Sequence, residues 1–468
     1  MMSIMLERLN AANALHMDHY GGHRLPYGCI KAQGIYKTFV HLKNPHQQFE
    51  VMDISGGYAS ACLGANNPHF WQHLQAKLSQ CSAVTDELLS LERAEFLQQQ
   101  FGMHGLWTDH FPYGEYHVSG RNSGSEGIEL ALRLLLESLL DKRRQTKHPQ
   151  KINKKIILAF EGAWHGWTAG IIPLLNRRYY THGFPSLESQ GSFGIEVKFL
   201  PFGDPALLEG FFKEFGKDLA GVVVEPIQGD AGILVPPAHY LRRLADLCQH
   251  YQALLIADEV LTFAKTGQFF AMVDEMGPIS TDITIIGKSL GMGLMPISLV
   301  IAKKSLNVRA CGAVATNDLR DFSCAVMSAG LQVINDQKLI QHSKTHGQLL
   351  QQTLQIQLVE AFPDIYKECR GVAHLFGVEL TEYAAQKLLL FRENMIHHGI
   401  YLEFMAGAGK RSHGLRYIFP TMRIAPALIM DDAQLTEMLE RLIKASVAFR
   451  LLMQKNKKSE KGEMHALH

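Results

Sequence analysis

Short runs of apolar residues alternate with helix-like periods through the middle of the chain. The runs that predict strands lie at 155–160, 221–225, 253–260 and 281–287. Because nearly every position in these runs is apolar, we expect strands that are buried on both faces, as in a parallel sheet between layers of helices. The alternation of strands with helices predicts an α/β fold.

Toward both ends the pattern changes and divides the chain into parts. A short strand closes the N-terminal region at 51–55, and the chain turns helical from about Ser328, before a strand-like run at 371–380 and a final helix from Asp432 to about Leu452. The predicted parts are an N-terminal segment (1–55), a large domain (56–327), a C-terminal α+β domain (328–452) and a polar, disordered tail (453–468).

Composition narrows the classes of function. The 468 residues include 46 Lys and Arg against 45 Asp and Glu, so no strong field favours nucleic acid or an anionic membrane. No apolar run approaches the roughly 20 residues that span a bilayer, and the first residues lack the apolar core of a secretory signal. The seven cysteines form no CxxC pair, which indicates a reducing compartment and predicts a cytoplasmic protein.

A lysine follows the last of these strand candidates. Lys288 comes directly after the run 281–287 and is followed by Gly291 and Gly293. A lysine in apolar surroundings has a lowered pKa and can attack a carbonyl carbon to form an imine. The alternative is a lysine at the sheet edge that extends its amino group to solvent.

An acidic residue ends the preceding strand candidate. Asp258 and Glu259 lie at the end of the apolar run 253–260, where an unpaired buried carboxylate is costly. A protonated pyridine nitrogen is one partner for such an acid, and a metal ion or an internal ion pair are the alternatives. No His/Cys cluster accompanies the acids, which disfavours a dedicated metal site.

Two further segments complete the candidate site. Gly124 and Ser125 open a helix-like stretch whose free N–H groups favour an anion such as phosphate, although Ser123 or Ser125 can equally be an ordinary helix cap. Trp164 and His165 follow another strand candidate, where an aromatic ring either covers a flat cofactor or packs on a loop. Because parallel strands end at one crevice, these parts together predict a pyridoxal 5'-phosphate (PLP) site.

Taken in order, the motifs resemble the class III, fold-type I PLP-dependent aminotransferases, a family that includes ornithine, acetylornithine and GABA aminotransferases and glutamate-1-semialdehyde aminomutase. The resemblance covers about residues 30–448 and is carried by the segments Asn122-Ser123-Gly124-Ser125-Glu126, Trp164-His165-Gly166, Val224-Glu225-Pro226-Ile227-Gln228-Gly229, Asp258-Glu259-Val260, Gly287-Lys288 and Met422-Arg423-Ile424-Ala425-Pro426. It implies a large domain with a mainly parallel sheet, a small α+β domain built from the N- and C-terminal segments, and a homodimer with shared active sites.

The resemblance also implies a role for each matching residue. Lys288 forms a Schiff base with PLP and moves the proton of the reaction, and Asp258 keeps the ring nitrogen protonated. The other implied cofactor contacts are Gly124 and Ser125 at the phosphate, Trp164 with His165 beside it on one ring face, Val260 on the opposite face, Glu225 and Gln228 lining the site with Gln228 near the phenolic oxygen, and Thr316 (or in its place Arg320 or Ser323) reaching the partner's phosphate.

Three positions bear on the substrate. Family members that carry the arginine matching Arg423 use it as a planar fork for a carboxylate, and the alternative is a structural salt bridge. Asp230 stands where several members have a glutamate that pairs with this arginine and swings it aside. Trp167 replaces an arginine that ornithine-type members often use for a distal carboxylate, which indicates an apolar or aromatic substrate group. The loop 261–267 has also lost two glycines of the family pattern.

The sequence therefore predicts a PLP-dependent aminotransferase that moves an amino group between an amine donor and a keto-acid or aldehyde acceptor. A PLP-dependent aminomutase or amino-acid epimerase is the first alternative, because its early chemistry is the same. A catalytically silent PLP-fold binding protein is the second, since the loops near Phe263 and Leu319 are altered.

Overall fold

The computed structural model describes residues 2–17, 24–145, 154–176, 195–307 and 312–465. Its helices are α1 Met2–Leu15, α2 Gly56–Ala59, α3 Pro68–Leu78, α4 Leu91–Phe101, α5 Gly124–Gln145, α6 Pro205–Phe215, α7 Tyr240–Tyr251, α8 Asp321–Asp336, α9 Leu339–Leu354, α10 Glu382–Gln386, α11 Leu388–His397 and α12 Asp432–His465. Its strands are β1 Tyr27–Gln33, β2 Tyr36–His41, β3 Asn44–Asp53, β4 Tyr116–Arg121, β5 Ile156–Phe160, β6 Glu196–Leu200, β7 Leu219–Val224, β8 Leu254–Glu259, β9 Val273–Asp274, β10 Gly277–Pro278, β11 Ile283–Ile286, β12 Ser298–Lys303, β13 Tyr366–Val372, β14 Leu375–Leu380, β15 Ile400–Tyr401, β16 Glu403–Met405 and β17 Thr421–Ile424.

A seven-stranded sheet forms the centre of the molecule. Its strand order is β4-β12-β11-β8-β7-β5-β6, and the five strands from β11 to β6 pair in parallel. Strand β12 runs against both of its neighbours, β11 and β4. The prediction of an α/β fold with a mainly parallel sheet is thus confirmed.

The four apolar runs form β5, β7, β8 and β11, and almost all of their residues are buried. Helix α5 packs on one face of these strands, and α6 and α7 pack on the other. A strand between two helical layers has no face left for water, which explains the nearly continuous apolar sequence of each run.

Two smaller sheets lie beside the central sheet, with strand orders β1-β2-β3-β15 and β13-β14-β17-β16. The short strand β15 pairs in parallel with β3, so that Ile400 lies opposite Met52. Side chains from both ends of the chain, including Ile35 and Phe449, belong to one buried cluster. The N- and C-terminal segments therefore pack together, while the exact domain boundaries remain predictions.

The C-terminal helix is longer than the sequence pattern indicated. Helix α12 continues through His465, whereas a disordered tail was expected from 453 onward. The segment 455–461 contains four Lys and one Glu, which are good helix formers even without an apolar face. In the described part of the chain, no helix is both long and apolar enough to cross a membrane.

Lys265 joins the large sheet to the C-terminal strands. Its side chain is buried, and its Nζ donates a hydrogen bond to the carbonyl oxygen of Pro426 at 3.0 Å. The carbonyl oxygen of Lys265 accepts the N–H of His374, which lies in the turn between β13 and β14, at 3.1 Å. Burial lowers the pKa of Lys265 to about 8, because an ammonium group loses hydration in the interior.

We expect the stability contributed by Lys265 to depend on pH in a defined direction. A lysine whose pKa is lower in the folded state than in the unfolded state makes folding more favourable as pH rises between the two values, by about 3 kcal/mol at most. The melting temperature of Lys265→Met minus that of the wild type should therefore decrease from about pH 7.5 to about pH 10. The exposed Lys217 provides the control, since Lys217→Met should show no such trend. A difference for Lys265→Met that stays constant over this range would contradict the prediction.

Candidate active site

A cavity of about 1270 Å³ opens at the carboxyl ends of the parallel strands. Most of the residues singled out from the sequence line it: Gly124, Ser125, Trp164, His165, Trp167, Glu225, Asp230, Asp258, Val260, Lys288 and Arg423. Gln228 and Thr316 are not among the lining residues. The strand ends thus bring together the segments that the sequence separates by up to three hundred positions.

Lys288 lies just past the end of β11, beside the end of β8. The parallel register places Ile285 opposite Asp258, so the lysine and the acid reach the same edge of the sheet. Lys288 has a φ of 40°, in the left-handed region that residues other than glycine rarely adopt. Burial and then the charge of Arg423 lower the pKa of Lys288.

Asp258 is held by a buried histidine and by the backbone. Its Oδ2 lies 2.8 Å from Nδ1 of His165, and its Oδ1 accepts the N–H of Val260 at 3.1 Å. Burial alone lowers the pKa of His165, but the hydrogen bond and charge of Asp258 outweigh burial and raise it. The contacts with His165 and with the backbone of Val260 fix the orientation of the Asp258 carboxylate.

The first turn of α5 contributes its N-terminus to the cavity. The hydroxyl of Ser123 accepts the N–H of Glu126 at 3.2 Å, which shows that Ser123 caps the helix. The N–H groups of Gly124 and Ser125 belong to the first turn, where backbone donors have no partner within the helix. The helix cap and the anion site are therefore compatible. Ser123 caps the helix, while Gly124 and Ser125, whose N–H groups follow the cap, line the cavity.

Glu225 fixes the loops on the other side of the cavity. Its two carboxylate oxygens accept the N–H groups of Trp164 at 2.8 Å and of Gly229 at 2.9 Å. Burial raises the pKa of Glu225. The ring of Trp164 lies 5.5 Å from the ring of Trp167, measured between centroids, and the two planes are inclined by 39°. The indole rings therefore form an aromatic wall at the cavity.

Three buried polar atoms of two side chains, Gln228 and His165, lack hydrogen-bond partners. Neither Nε2 nor Oε1 of Gln228 has a hydrogen-bond partner, and neither does Nε2 of His165. The side chains of Gln228 and His165 are nearly inaccessible to solvent. Buried polar atoms in native proteins are normally bonded, so these atoms indicate that a polar ligand belongs close to them.

Arg423 has a partner that the sequence analysis missed. Its Nη1 lies 3.3 Å from Oε2 of Glu403, and both side chains are buried. The family resemblance implies Asp230 as the acid that pairs with Arg423. Asp230 lines the same cavity, and its charge acts on Lys288. Glu403 carries no local motif, because only the antiparallel register of β16 and β17 places it opposite Arg423.

Thr316 lies on an exposed loop outside the cavity lining. Its carbonyl oxygen accepts a hydrogen bond from Nε of Arg320 at 2.9 Å. The next residue, Asn317, donates to Oδ1 of Asn122 at 3.3 Å, which places this loop beside the cavity edge. A contact of Thr316 with the partner's phosphate remains a prediction.

Comparisons with known proteins agree with this geometry. Residues 38–446 match the family Aminotransferase class-III. The chain is 31% identical to mitochondrial ornithine aminotransferase of Oryza sativa subsp. japonica over 77% of its length and 71% of the relative. It is 29% identical to ornithine aminotransferase 2 of Staphylococcus aureus over 91% of its length and 96% of the relative.

Solved structures show the same fold at lower sequence identity. Ornithine aminotransferase of Toxoplasma gondii superposes with a TM-score of 0.76 at 23% identity, covering 95% of this chain and 96% of the other. The omega transaminase of Pseudomonas jessenii superposes with a TM-score of 0.75 at 20% identity, covering 95% and 99%. The match over residues 38–446 places this chain among the class III aminotransferases, and it is a PLP-dependent enzyme of that family.

Proposed function

We propose that Lys288 and Asp258 are the catalytic residues of this aminotransferase and that its amine substrates carry an apolar or aromatic group. The observation that carries the proposal is the meeting of Lys288, Asp258 and the N-terminus of α5 in one cavity. A nucleophilic amine, a buried acid and an anion-binding turn are the three elements that hold the aldehyde, the ring nitrogen and the phosphate of PLP.

The residues present fit PLP. The unpartnered amide of Gln228 suits the phenolic oxygen, and the N–H groups of Gly124 and Ser125 suit the phosphate. The carboxylate of Asp258, oriented by its contact with His165, suits the protonated ring nitrogen. PLP supplies an aldehyde for the substrate amine and a ring that withdraws electrons from the substrate Cα.

Trp164 and Val260 are proposed to hold the two faces of the ring. Both line the cavity, and Val260 packs against Gly124 and Gly287 on the floor of the site. With PLP bound, Trp164 and Val260 would hold the ring between them and so help to orient the substrate.

Lys288 is proposed to take the proton from the substrate Cα and return it elsewhere on the same face. Because burial and Arg423 lower its pKa, a larger fraction of Lys288 is neutral near physiological pH than for an exposed lysine. A neutral Nζ is both a nucleophile and a base. Lys288 and Asp258 line the same cavity, and the charge of Asp258 acts on Lys288.

Arg423 is proposed to bind the substrate carboxylate. Among the described residues of one chain that line the cavity, it is the only arginine, and its planar guanidinium suits a carboxylate. The apolar part of the cavity lining includes Trp167, Leu294 and Phe404. This supports amine donors with an apolar or aromatic group and a keto acid as acceptor.

We also propose a homodimer in the cytoplasm. Two large apolar side chains that line the cavity, Trp167 and Leu294, are exposed in the single chain, and a second subunit would cover them. The six cysteines described by the structure are unbonded, as is usual in a reducing compartment.

Lys288→Ala should lose at least about 10²-fold in kcat, because the variant lacks the group that moves the proton. The half-reaction is followed by the visible absorption of the cofactor after a single amine donor is added to the holoenzyme. The exposed Lys304 provides a control, since Lys304→Ala should react like the wild type. A Lys288→Ala protein that retained full turnover would refute the catalytic assignment.

Gly124→Ala should weaken PLP binding at least about fivefold, since overpacking costs about 1–3 kcal/mol. A methyl group there would lie 2.9 Å from both Cγ atoms of Val260 and push them toward the ring. PLP affinity is measured by titration of the apoenzyme. Adding Val260→Ala should restore part of the affinity, whereas Gly210→Ala, which meets open space, should leave it unchanged. Equal PLP affinity in Gly124→Ala and the wild type would contradict this role of the turn.

The mass in solution tests the dimer. Light scattering coupled to size-exclusion chromatography should give twice the chain mass of 52.4 kDa. A mass equal to one chain for the active holoenzyme would exclude shared active sites.

A further inference from the structure

Glu403 and Arg423 face each other across neighbouring strands. They are directly opposed in the antiparallel pairing of β16 with β17. Glu403 is 7% exposed and Arg423 is 6% exposed. Because the backbone register fixes the two Cα positions, the acid stays within reach of the guanidinium whether or not a substrate is bound.

The guanidinium of Arg423 is only partly satisfied by this contact. Of its five N–H donors, one reaches Glu403 at 3.3 Å, and the buried Nε has no partner. The ring of Tyr58 lies 5.4 Å from Cζ of Arg423. Since Arg423 also lines the cavity, the remaining donors are available to a second planar anion that arrives from the substrate side.

Glu403 sits among several charges and dipoles. Its Oε2 also accepts the backbone N–H of Tyr58 at 2.7 Å. The titratable and charged groups that face it are Arg423 on β17, Asp53 on β3, Lys37 on β2, Tyr401 on β15 and Tyr58 on α2. Lys37 is paired with Asp53, which leaves Arg423 as the main cation for Glu403.

The charge of Glu403 changes near neutral pH. Burial, opposed by Arg423, raises the pKa of Glu403 to about 7, and Asp53 adds to the increase. If a substrate carboxylate joins an ionised Glu403 at Arg423, two anions share one cation in a poorly hydrated place. If Glu403 is protonated, the substrate carboxylate meets an unopposed cation, which is the favourable arrangement.

We propose that Glu403 determines specificity by competing with the substrate carboxylate for Arg423. Substrates that carry a carboxylate bind with uptake of a proton by Glu403, whereas amines without a carboxylate bind with the Glu403–Arg423 pair intact. One site would thereby bind two classes of substrate, an apolar amine and a keto acid. The inference rests on the proposed role of Arg423 as the carboxylate anchor.

The test compares two donors that differ only by a carboxylate, L-phenylalanine and 2-phenylethylamine, in half-reactions of the holoenzyme. In the wild type, the ratio of kcat/KM for the amino acid to that for the amine should fall by up to about tenfold per pH unit above about pH 7. In Glu403→Gln the ratio should be nearly independent of pH and higher than in the wild type at about pH 8.5. Glutamine keeps an oxygen for the N–H of Tyr58. The exposed Glu440 provides the matched control, and Glu440→Gln should follow the wild-type curve.

A binding measurement gives a readout that does not depend on turnover. Titration calorimetry of 3-phenylpropionate into the holoenzyme, in two buffers of different ionisation enthalpy, counts the protons taken up. At about pH 8 the wild type should take up close to one proton and Glu403→Gln close to none. If Glu403→Gln does not fold, Glu403→Asp keeps the titrating group and should keep proton uptake.

The outcomes separate the two proposals. If Arg423→Gln leaves the ratio of the two donors unchanged, then Arg423 is not the carboxylate anchor and the substrate part of the proposed function fails. If Arg423→Gln abolishes the preference for the amino acid while Glu403→Gln keeps the wild-type pH curve and proton uptake, then only the role of Glu403 is overturned.

Discussion

Parallel pairing between β8 and β11 is the constraint on which the site depends. It brings the ends of two strands to one edge of the sheet, with Ile285 beside Asp258, and it thereby sets the distance between the acid and Lys288. Helix α5 must approach this edge closely to present its N-terminus. At Gly127 a Cβ would lie 2.7 Å from Cγ2 of Ile285, so the absence of a side chain there is what permits the approach.

Buried carboxylates surround the same cavity, and backbone N–H groups donate hydrogen bonds to them. Glu225 accepts two N–H groups from the loops that follow β5 and β7, and Glu403 accepts one from Tyr58. Each carboxylate therefore loses hydration on burial, but it gains hydrogen bonds from backbone N–H groups with fixed orientation. Groups that are already oriented need little reorganisation when charge moves during the reaction. The strain at Lys288 belongs to the same pattern, in which an active site keeps a conformation that surrounding packing enforces.

The features that the sequence revealed are local ones. The strands β5, β7, β8 and β11 could be predicted because burial on both faces leaves an apolar run. Strand β4 could not be predicted, because Tyr116–Arg121 contains polar residues and most of its positions are only partly buried or exposed. Lys288, Asp258 and the turn at Gly124 are each visible as chemistry at the end of an element.

What the sequence did not reveal depends on tertiary contacts. Glu403 looks like any strand glutamate until β17 pairs beside it, and Asp230 is expected as the partner only because of the family resemblance. The unpartnered Gln228 becomes informative only when its burial is known. The length of α12 was missed because a polar segment without an apolar face has no periodic signal, although its residues favour a helix.

The pairing of Met52 with Ile400 has a consequence for biosynthesis. As the chain leaves the ribosome, β3 emerges early, but the strand that completes its sheet emerges only after the whole central sheet has been made. The central sheet can form first, because most of its paired strands are near each other in sequence. The N-terminal strands keep apolar residues exposed until β15 has been synthesised. During that interval the nascent chain presents an open strand edge at β3, which is the kind of surface that chaperones bind and that pairs with other chains when they are absent.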